Sequence, residues 1–479
     1  MIVGELRHGQ LTIIDRLKET VRLSEGLINK GALTEAARRR ALACLSRFGE
    51  RLRDMHASSV RTAGTSALRR ATDSGEFRQD AEEALGHPIE VISGIEEARL
   101  IYSGVSHSLP PNEGLRLVLD IGGGSTELIL GRGDKPGALE SLHMGCVLMT
   151  EQHFPDGVLN RKNFDSARLA ARLKLRPVKA FFREASGIEA VGTSGTVNST
   201  EAVALELGVI ESNDLTPDSI ERLIDRVIEF DNIDKLQLPG LSERRSQVWP
   251  GGLAILVELM KVLRIERLKV SDGALREGLL YDLIGRLQHE DARERSVIAL
   301  ANRYNVDQVQ ADRVGQTAGA LLGQVATAWQ FESALATNVV QWAAHLHEIG
   351  LDISHDGFQK HGAYIAENAD LPGFPRSEQK LLAWLIASQR LAIDKSRLRA
   401  LPGSWQDQAL KLSIVLRLAV LLNRSRGSLD LSGISAMAKD SCLRLVFPHG
   451  WLDANPLTVA DLNRERRIIA AVDHELEFA

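Results

Sequence analysis

The sequence predicts an α/β protein of two similar halves, continued by a helical segment and a small mixed α/β segment. Three patterns carry that prediction. Residues 115–130 hold two apolar, β-prone runs joined by Gly122-Gly123-Gly124. A short strand leading into a turn rich in glycine and hydroxyl or acidic residues recurs near 60–66, 189–196 and 268–273. Beyond about residue 290, alanine and leucine dominate at helical spacing. Two such α/β halves predict a ligand cleft between them.

In chain order, residues 2–6 and 11–17 read as strands around His8-Gly9-Gln10, and 34–55 as a helix. A strand over 60–63 runs into Gly64-Thr65-Ser66-Ala67-Leu68-Arg69-Arg70. Another, 89–93, leads into a helix beginning near Glu96, with acids in the first turn where the helix dipole favours them. Residues 163–186 read as a helix, and 189–191 as a strand before Gly192-Thr193-Ser194-Gly195-Thr196. A strand over 268–273 turns into a helix by Gly278. Helical spacing returns over 311–344 and 379–423, with loops at Pro372, Pro375 and Pro402. The last segment holds a strand, 442–447, and a helix, 459–472. The implied domains are 1–101, 102–285, 290–425 and 426–479.

Composition bounds the function. A chain of 479 residues is too long for one core. Hydrophobic content of 44% with 25% charged residues is ordinary for a soluble protein, and no apolar run is long enough to span a bilayer. The opening Met-Ile-Val-Gly-Glu-Leu-Arg-His has no signal-peptide anatomy. Cys44, Cys146 and Cys442 are scattered, without metal spacing, which predicts a reducing cytoplasm. A net charge of −5 argues against nucleic acid as a partner, and a polyanionic substrate would need a local basic channel.

The glycine turn carries the chemistry. Glycines admit φ > 0 and close backbone approach, and successive amides form an anion nest. Asp120 and Glu127, which bracket the turn, are hard oxygen ligands of the kind Mg²⁺ prefers. A second β-prone run follows the glycines, so the unit is strand–turn–strand. A P-loop or a dinucleotide fold would place a helix there. For the glycines alone a ligand-free hairpin is an equal reading. The two acids and Ser125-Thr126 favour a phosphate cradle.

These stretches resemble one known family. The match rests on Gly64-Thr65-Ser66-Ala67-Leu68-Arg69, on residues 93–104 from Ser-Gly-Ile-Glu-Glu-Ala-Arg onward, and on Asp120-Ile121-Gly122-Gly123-Gly124-Ser125-Thr126-Glu127. It continues through Met144-Gly145-Cys146, Gly192 to Thr196, and Ser271-Asp272-Gly273-Ala274-Leu275-Arg276-Glu277-Gly278, in collinear order. The chain thereby resembles the exopolyphosphatase/guanosine pentaphosphate phosphatase family. The resemblance implies two actin/sugar-kinase/Hsp70-like (ribonuclease H-like) domains, an HD-like helical domain and a small C-terminal α+β domain. It implies Glu97 as the general base, and Asp120 with Glu127 as ligands of Mg²⁺ or Mn²⁺. Gly122, Gly123, Gly124, Ser125 and Arg69 would bind phosphate, together with Gly192, Ser194, Gly195 and Thr196 of the second turn. Taken alone, Glu97 reads as a solvated acid, Arg69 as a surface ion pair and the second turn as an ordinary loop. The implied activity is release of orthophosphate from inorganic polyphosphate, and also from guanosine pentaphosphate. Gly124 and Ser271-Asp272-Gly273 resemble the polyphosphate branch more closely. A peripheral membrane contact and a homodimer are further expectations. The rivals are a non-catalytic polyphosphate- or nucleotide-binding protein and an actin-fold kinase.

Two departures from the family pattern stand out. The family's opening strand and Asp-Leu-Gly-Ser-Asn-Ser-Phe-His loop have no counterpart in these 479 residues. The expectation is that a stretch carrying them precedes Met1, and that without it hydrolysis is weak or absent. The helical segment reads His345-Leu346-His347-Glu348, followed by His355 and His361, where HD phosphohydrolases place a His-Asp pair. Packing or surface histidines are therefore favoured over a metal site. That segment would extend a polyphosphate channel or support a dimer. Channel cations would come from Lys18, Arg22, Arg244, Arg245 and Arg276, whereas Arg38-Arg39-Arg40 reads as a solvated helix face.

Overall fold

Two units, Met1–Glu290 and Asp291–Ala479, divide the protein, seen here in a computed structural model. The structure describes residues 1–7, 10–19, 21, 23, 32–72, 74–110, 112–183, 188–211, 214–287, 291–331, 334–427 and 433–479. His8, Gly9 and Arg22 lie outside the described residues.

In the first unit, β1 (Ile2–Arg7) and β2 (Gln10–Arg16) form an antiparallel ladder. Residues 11–17 alternate half-buried and exposed, the pattern of a strand covered on one face. Helix α1 (Glu35–Leu52) starts at Thr34, whose hydroxyl accepts from the Ala37 amide at 3.3 Å. Next come β3 (Ala63–Gly64), α2 (Ser66–Arg70), α3 (Ser74–Leu85) and β4 (Glu90–Val91). β3 and β4 pair in parallel, and among the described residues no strand joins that pair to the β1–β2 ladder. The strand expected over 60–63 is shorter and later, because Ala57–Ser59 forms a 3₁₀ turn just before it.

Helix α4 (Gly94–Ser108) starts earlier than expected because Ser93 caps it, accepting from the Glu96 amide at 3.1 Å. Strands β5 (Leu115–Ile121), β6 (Thr126–Arg132) and β7 (Lys135–Leu142) form the antiparallel part of a six-stranded sheet. Helices α5 (Cys146–His153), α6 (Arg161–Leu175) and α7 (Lys179–Arg183) follow. The single helix expected over 163–186 is broken at Pro177, which cannot continue the hydrogen-bond ladder; residues 184–187 lie outside the described residues. Then come β8 (Glu189–Thr193), α8 (Ser194–Glu206), β9 (Asp214–Leu215), α9 (Pro217–Ile228), α10 (Glu243–Ser246), α11 (Trp249–Leu263), β10 (Leu268–Ser271) and α12 (Leu275–Leu287). The sheet order is β7-β6-β5-β8-β10-β9, with β5, β8 and β10 parallel.

β5 reads as a continuous apolar run because both faces of the sheet are buried. Leu117, Leu119 and Ile121 enter the core built by α5, α6 and α11, while Val118 meets Ala98, Ile101, Tyr102 and Val105 of α4. Each such side chain contributes about 1.5–3 kcal/mol of burial, which fixes α4 on the sheet. A buried ion-pair network adds to this. Glu96 accepts from Arg99 at 2.7 and 2.8 Å, and Arg61 and Arg99 both bind Asp282 of α12.

The second unit is mostly helical: α13 (Ala292–Arg303), α14 (Gln308–Val325), α15 (Ala334–Leu346), α16 (Phe358–Asn368), α17 (Arg376–Ser388), α18 (Lys395–Arg399) and α19 (Gln406–Leu422). A small sheet of β11 (Ser435–Lys439), β12 (Cys442–Val446) and β13 (Glu475–Phe478) follows, with α20 (Trp451–Ala454) and α21 (Pro456–Ala470) before its last strand. Leu443, Leu445, Leu462 and Leu476 share one core with the helices. Buried Arg417 of α19 pairs with Glu465 of α21 and donates to the Leu391 carbonyl at 2.8 Å. His345 and His347 are held by backbone carbonyls, of Gln341 at 2.8 Å and Ala344 at 2.6 Å.

Candidate active site

The two ends of the glycine turn are bound to each other by register. β5 and β6 pair so that Asp120 stands opposite Glu127, while on the other side Asp120 stands opposite Thr193 of β8. The Gly122 amide donates to the Ser125 carbonyl at 2.9 Å and closes the turn. None of Gly122, Gly123 and Gly124 lies in the left-handed region, so the expected positive φ is not why glycine stands there. Close approach is the reason at Gly124. A Cβ there would fall 2.8 Å from Ser66 Oγ and 3.3 Å from Arg70 Nη1. The first amides of α5 point back at the turn. Cys146 donates to the Gly122 carbonyl at 2.9 Å and Val147 to the Gly123 carbonyl at 3.0 Å.

Three carboxylates feel one another's charge at the turn: Glu97 from α4, Asp120 from β5 and Glu127 from β6. All are buried. Burial raises Glu97 above the usual carboxylate range, against the pull of Arg69 and a hydrogen bond from Thr65. Burial also lifts Asp120 to about 7, helped by the charge of Glu97 and opposed by the Ser194 hydroxyl. Glu127 is raised well above its ordinary value by burial, then by Glu97 and Asp120. Ser141 of β7 donates to Glu127 at 2.9 Å, and the Ser125 hydroxyl favours the charged form of this carboxylate. Ser125 thus serves Glu127 as well as the turn.

Asp120 and Glu127 suit a divalent cation. They form a desolvated, mutually repelling pair that a cation would relieve, and Mg²⁺ is commonly held by one or two carboxylates plus phosphate oxygens. Among the described residues, no three His, Cys, Asp or Glu side chains form a larger metal cluster.

Arg69 Nη1 is engaged twice, by Glu97 Oε2 and by the Ile92 carbonyl, each at 2.9 Å. The second turn meets the first at Ile121, whose carbonyl accepts from Ser194 Oγ at 2.8 Å and Thr196 Oγ1 at 3.4 Å. Ser194 is a non-glycine residue at φ 73°, a strained conformation of the kind that gathers at functional sites. Gly195 is half-buried, and the Arg245 guanidinium lies against it, 1.8 Å from where a Cβ would stand. Gly192 and Thr196 are buried, and Gly192 packs on Val197 and Leu268. Of the expected channel cations, Arg245 reaches this turn, Arg276 acts on the Met1 amine, and Lys18 and Arg244 are exposed.

Sequence reasoning missed Ser141, Thr65, Ser66 and Arg70. For the last three a signal was present: Thr65/Arg69 and Ser66/Arg70 are i, i+4 pairs.

Comparison with known proteins finds matches along most of the chain. The model of the Ppx/GppA phosphatase family matches residues 2–287, and that of Ppx/GppA phosphatase, domain III, matches 292–466. The chain is 39% identical over 465 residues to a guanosine-5'-triphosphate,3'-diphosphate pyrophosphatase of Aeromonas hydrophila, covering 97% of this chain and 93% of that protein. It is 39% identical over 466 residues to a protein of the same name from Vibrio cholerae, with the same coverage. Among solved structures it resembles the Aquifex aeolicus member of the Ppx/GppA family (26% identity, TM-score 0.50, 60% of this chain and 94% of that one). It also shares the fold of an exopolyphosphatase from Cytophaga hutchinsonii (24% identity, TM-score 0.53, 59% and 94%).

Proposed function

The chain belongs to the Ppx/GppA phosphatase family, and from that premise we propose that it hydrolyses the terminal phosphoanhydride of a phosphate chain to orthophosphate. Its first unit has the actin-like, sugar-kinase-like α/β fold of that family. The observation that carries the proposal is the buried Glu97 carboxylate, electrostatically linked to Asp120 and Glu127 under the glycine turn.

In this reading the backbone of Gly122–Ser125 holds the terminal phosphate, and Ser194-Gly195 with Arg245 continues the cradle. A carboxylate raised toward neutral pH is well matched to a general base. Glu97 takes a proton from water, the water oxygen bonds to the terminal phosphorus, and the bond to the next bridging oxygen breaks. Mg²⁺ or Mn²⁺ at Asp120 and Glu127 would neutralise phosphate charge. Positioning and charge stabilisation do most of the work in such a transfer. The helical unit is read as an HD-like scaffold without a metal site, in a cytoplasmic homodimer.

We propose inorganic polyphosphate as substrate, on the strength of Gly124. The names of the Aeromonas and Vibrio relatives favour a second, guanosine 5'-triphosphate 3'-diphosphate. The test is orthophosphate release from each, with Mg²⁺ and with a chelator. Mg²⁺-dependent release supports the proposal and its ratio ranks the substrates. Binding without release supports the non-catalytic rival. ADP formation from ATP and an acceptor, with neither substrate hydrolysed, supports a kinase.

A further inference from the structure

Helix α2 presents two faces to the site. Thr65 and Arg69 are four apart and face Glu97: Arg69 Nη1 lies 2.9 Å from its carboxylate, and the Thr65 hydroxyl favours its charged form. Ser66 and Arg70 are also four apart and face the glycine turn, at 2.8 Å and 3.3 Å from where a Gly124 Cβ would stand. The two arginines differ in what they hold. Arg69 Nη1 already has the Ile92 carbonyl and Glu97. Arg70 Nη1 is buried and has no hydrogen-bond partner among the described residues.

Arg70 is half-buried as a residue, but a guanidinium N–H that is itself buried without an acceptor is unfavourable, and native proteins keep one chiefly where a ligand completes it. Its position beside the turn says which ligand. An anionic oxygen seated on the Gly122–Ser125 backbone would lie within reach of this guanidinium, whose fork matches a phosphate. The charge of Arg70 also reaches His143, which burial, and then Arg70, holds below the usual imidazole range.

We propose that Arg70 is the guanidinium that binds the phosphate oxygens at the glycine turn, and that Arg69 is a positioning residue for Glu97. This rests on reading the turn as a phosphate site. It reverses the role that the sequence suggests for Arg69. Arg70 presents a donor to the ligand, while Arg69 fixes the rotamer and the charge of the base.

The test measures binding rather than turnover. Tripolyphosphate and inorganic phosphate are titrated into the full chain by calorimetry, and the Tm shift each induces is recorded. Arg70→Gln is expected to weaken tripolyphosphate about tenfold or more, the scale of a lost charge-assisted hydrogen bond, and to shrink the Tm shift at a given ligand concentration. Without ligand it is expected to melt no lower than wild type, because the unpartnered buried N–H is gone. Arg69→Gln is expected to bind tripolyphosphate within about threefold of wild type. Arg70→Lys, which keeps the charge and loses the fork, guards against misfolding of the glutamine variant and is expected to bind with intermediate strength. Arg70→Gln and Arg70→Lys binding like wild type, or Arg69→Gln alone losing affinity, would overturn the assignment. Wild type that binds without hydrolysing would refute the proposed hydrolysis and leave this assignment standing. Wild type that binds neither probe would overturn both.

Discussion

Replacing Asp120 with asparagine is expected to stabilise the ligand-free protein at alkaline pH while removing its chemistry. Burial places Asp120 at about 7, against an ordinary 3.8. The unfolded chain therefore releases this proton near pH 4, and the folded chain holds it to about pH 7. The stability linked to that proton is fully present below the unfolded value and is lost as pH rises through the folded one. A shift of about three units at roughly 1.4 kcal/mol per unit makes this loss about 4 kcal/mol. Asparagine is near-isosteric and uncharged, so it also relieves the repulsion felt by Glu127. Equilibrium unfolding of the first unit in a chelator, at about pH 5 and about pH 8.5, reads the effect. Asp120→Asn should exceed wild type by up to about 4 kcal/mol at the higher pH and by about 2 kcal/mol at the lower. Adding Mg²⁺ should stabilise wild type at high pH and leave the variant unmoved. Equal destabilisation of Asp120→Asn at both pH values would refute the reasoning, because Asp120 would then be held by specific bonds instead of being desolvated.

Two further predictions follow from the same geometry. Arg69 opposes the burial-driven rise of Glu97, so Arg69→Gln should move the acid limb of the pH–rate profile upward; an unmoved limb would separate Arg69 from the base. Gly124→Ala places a methyl group 2.8 Å from Ser66 Oγ, which should cost about 1–3 kcal/mol in denaturant unfolding, and adding Ser66→Ala should recover part of it.

Legibility tracked how locally each feature is encoded. The facing of Asp120 and Glu127 was readable because a turn of fixed length between two β-prone runs sets the register. Glu97 was readable as an acid at a helix start, although only the surrounding motif argued against a solvated one. Its burial depends on α4 being pressed to the sheet by Val118 and Ile129, which no local pattern reveals. The glycines were read as a positive-φ turn, and none of the three lies in the left-handed region. The left-handed residue is Ser194, and serine carries no signature of that conformation. Adjacent Arg69 and Arg70 are alike in sequence, yet they project about 100° apart around a helix, so only the tertiary setting separates their roles. The break after Leu175 was legible in Pro177 and was overlooked because the flanking residues favour helix.

The most direct test of the account is the rate of orthophosphate release by Glu97→Gln with Mg²⁺ present, measured beside wild type on polyphosphate and on guanosine 5'-triphosphate 3'-diphosphate. The account predicts a fall in kcat of about 10²–10⁴-fold on whichever substrate wild type hydrolyses, with tripolyphosphate binding retained. A variant rate within about threefold of wild type would contradict it, because the proton of the attacking water would then be leaving by another route.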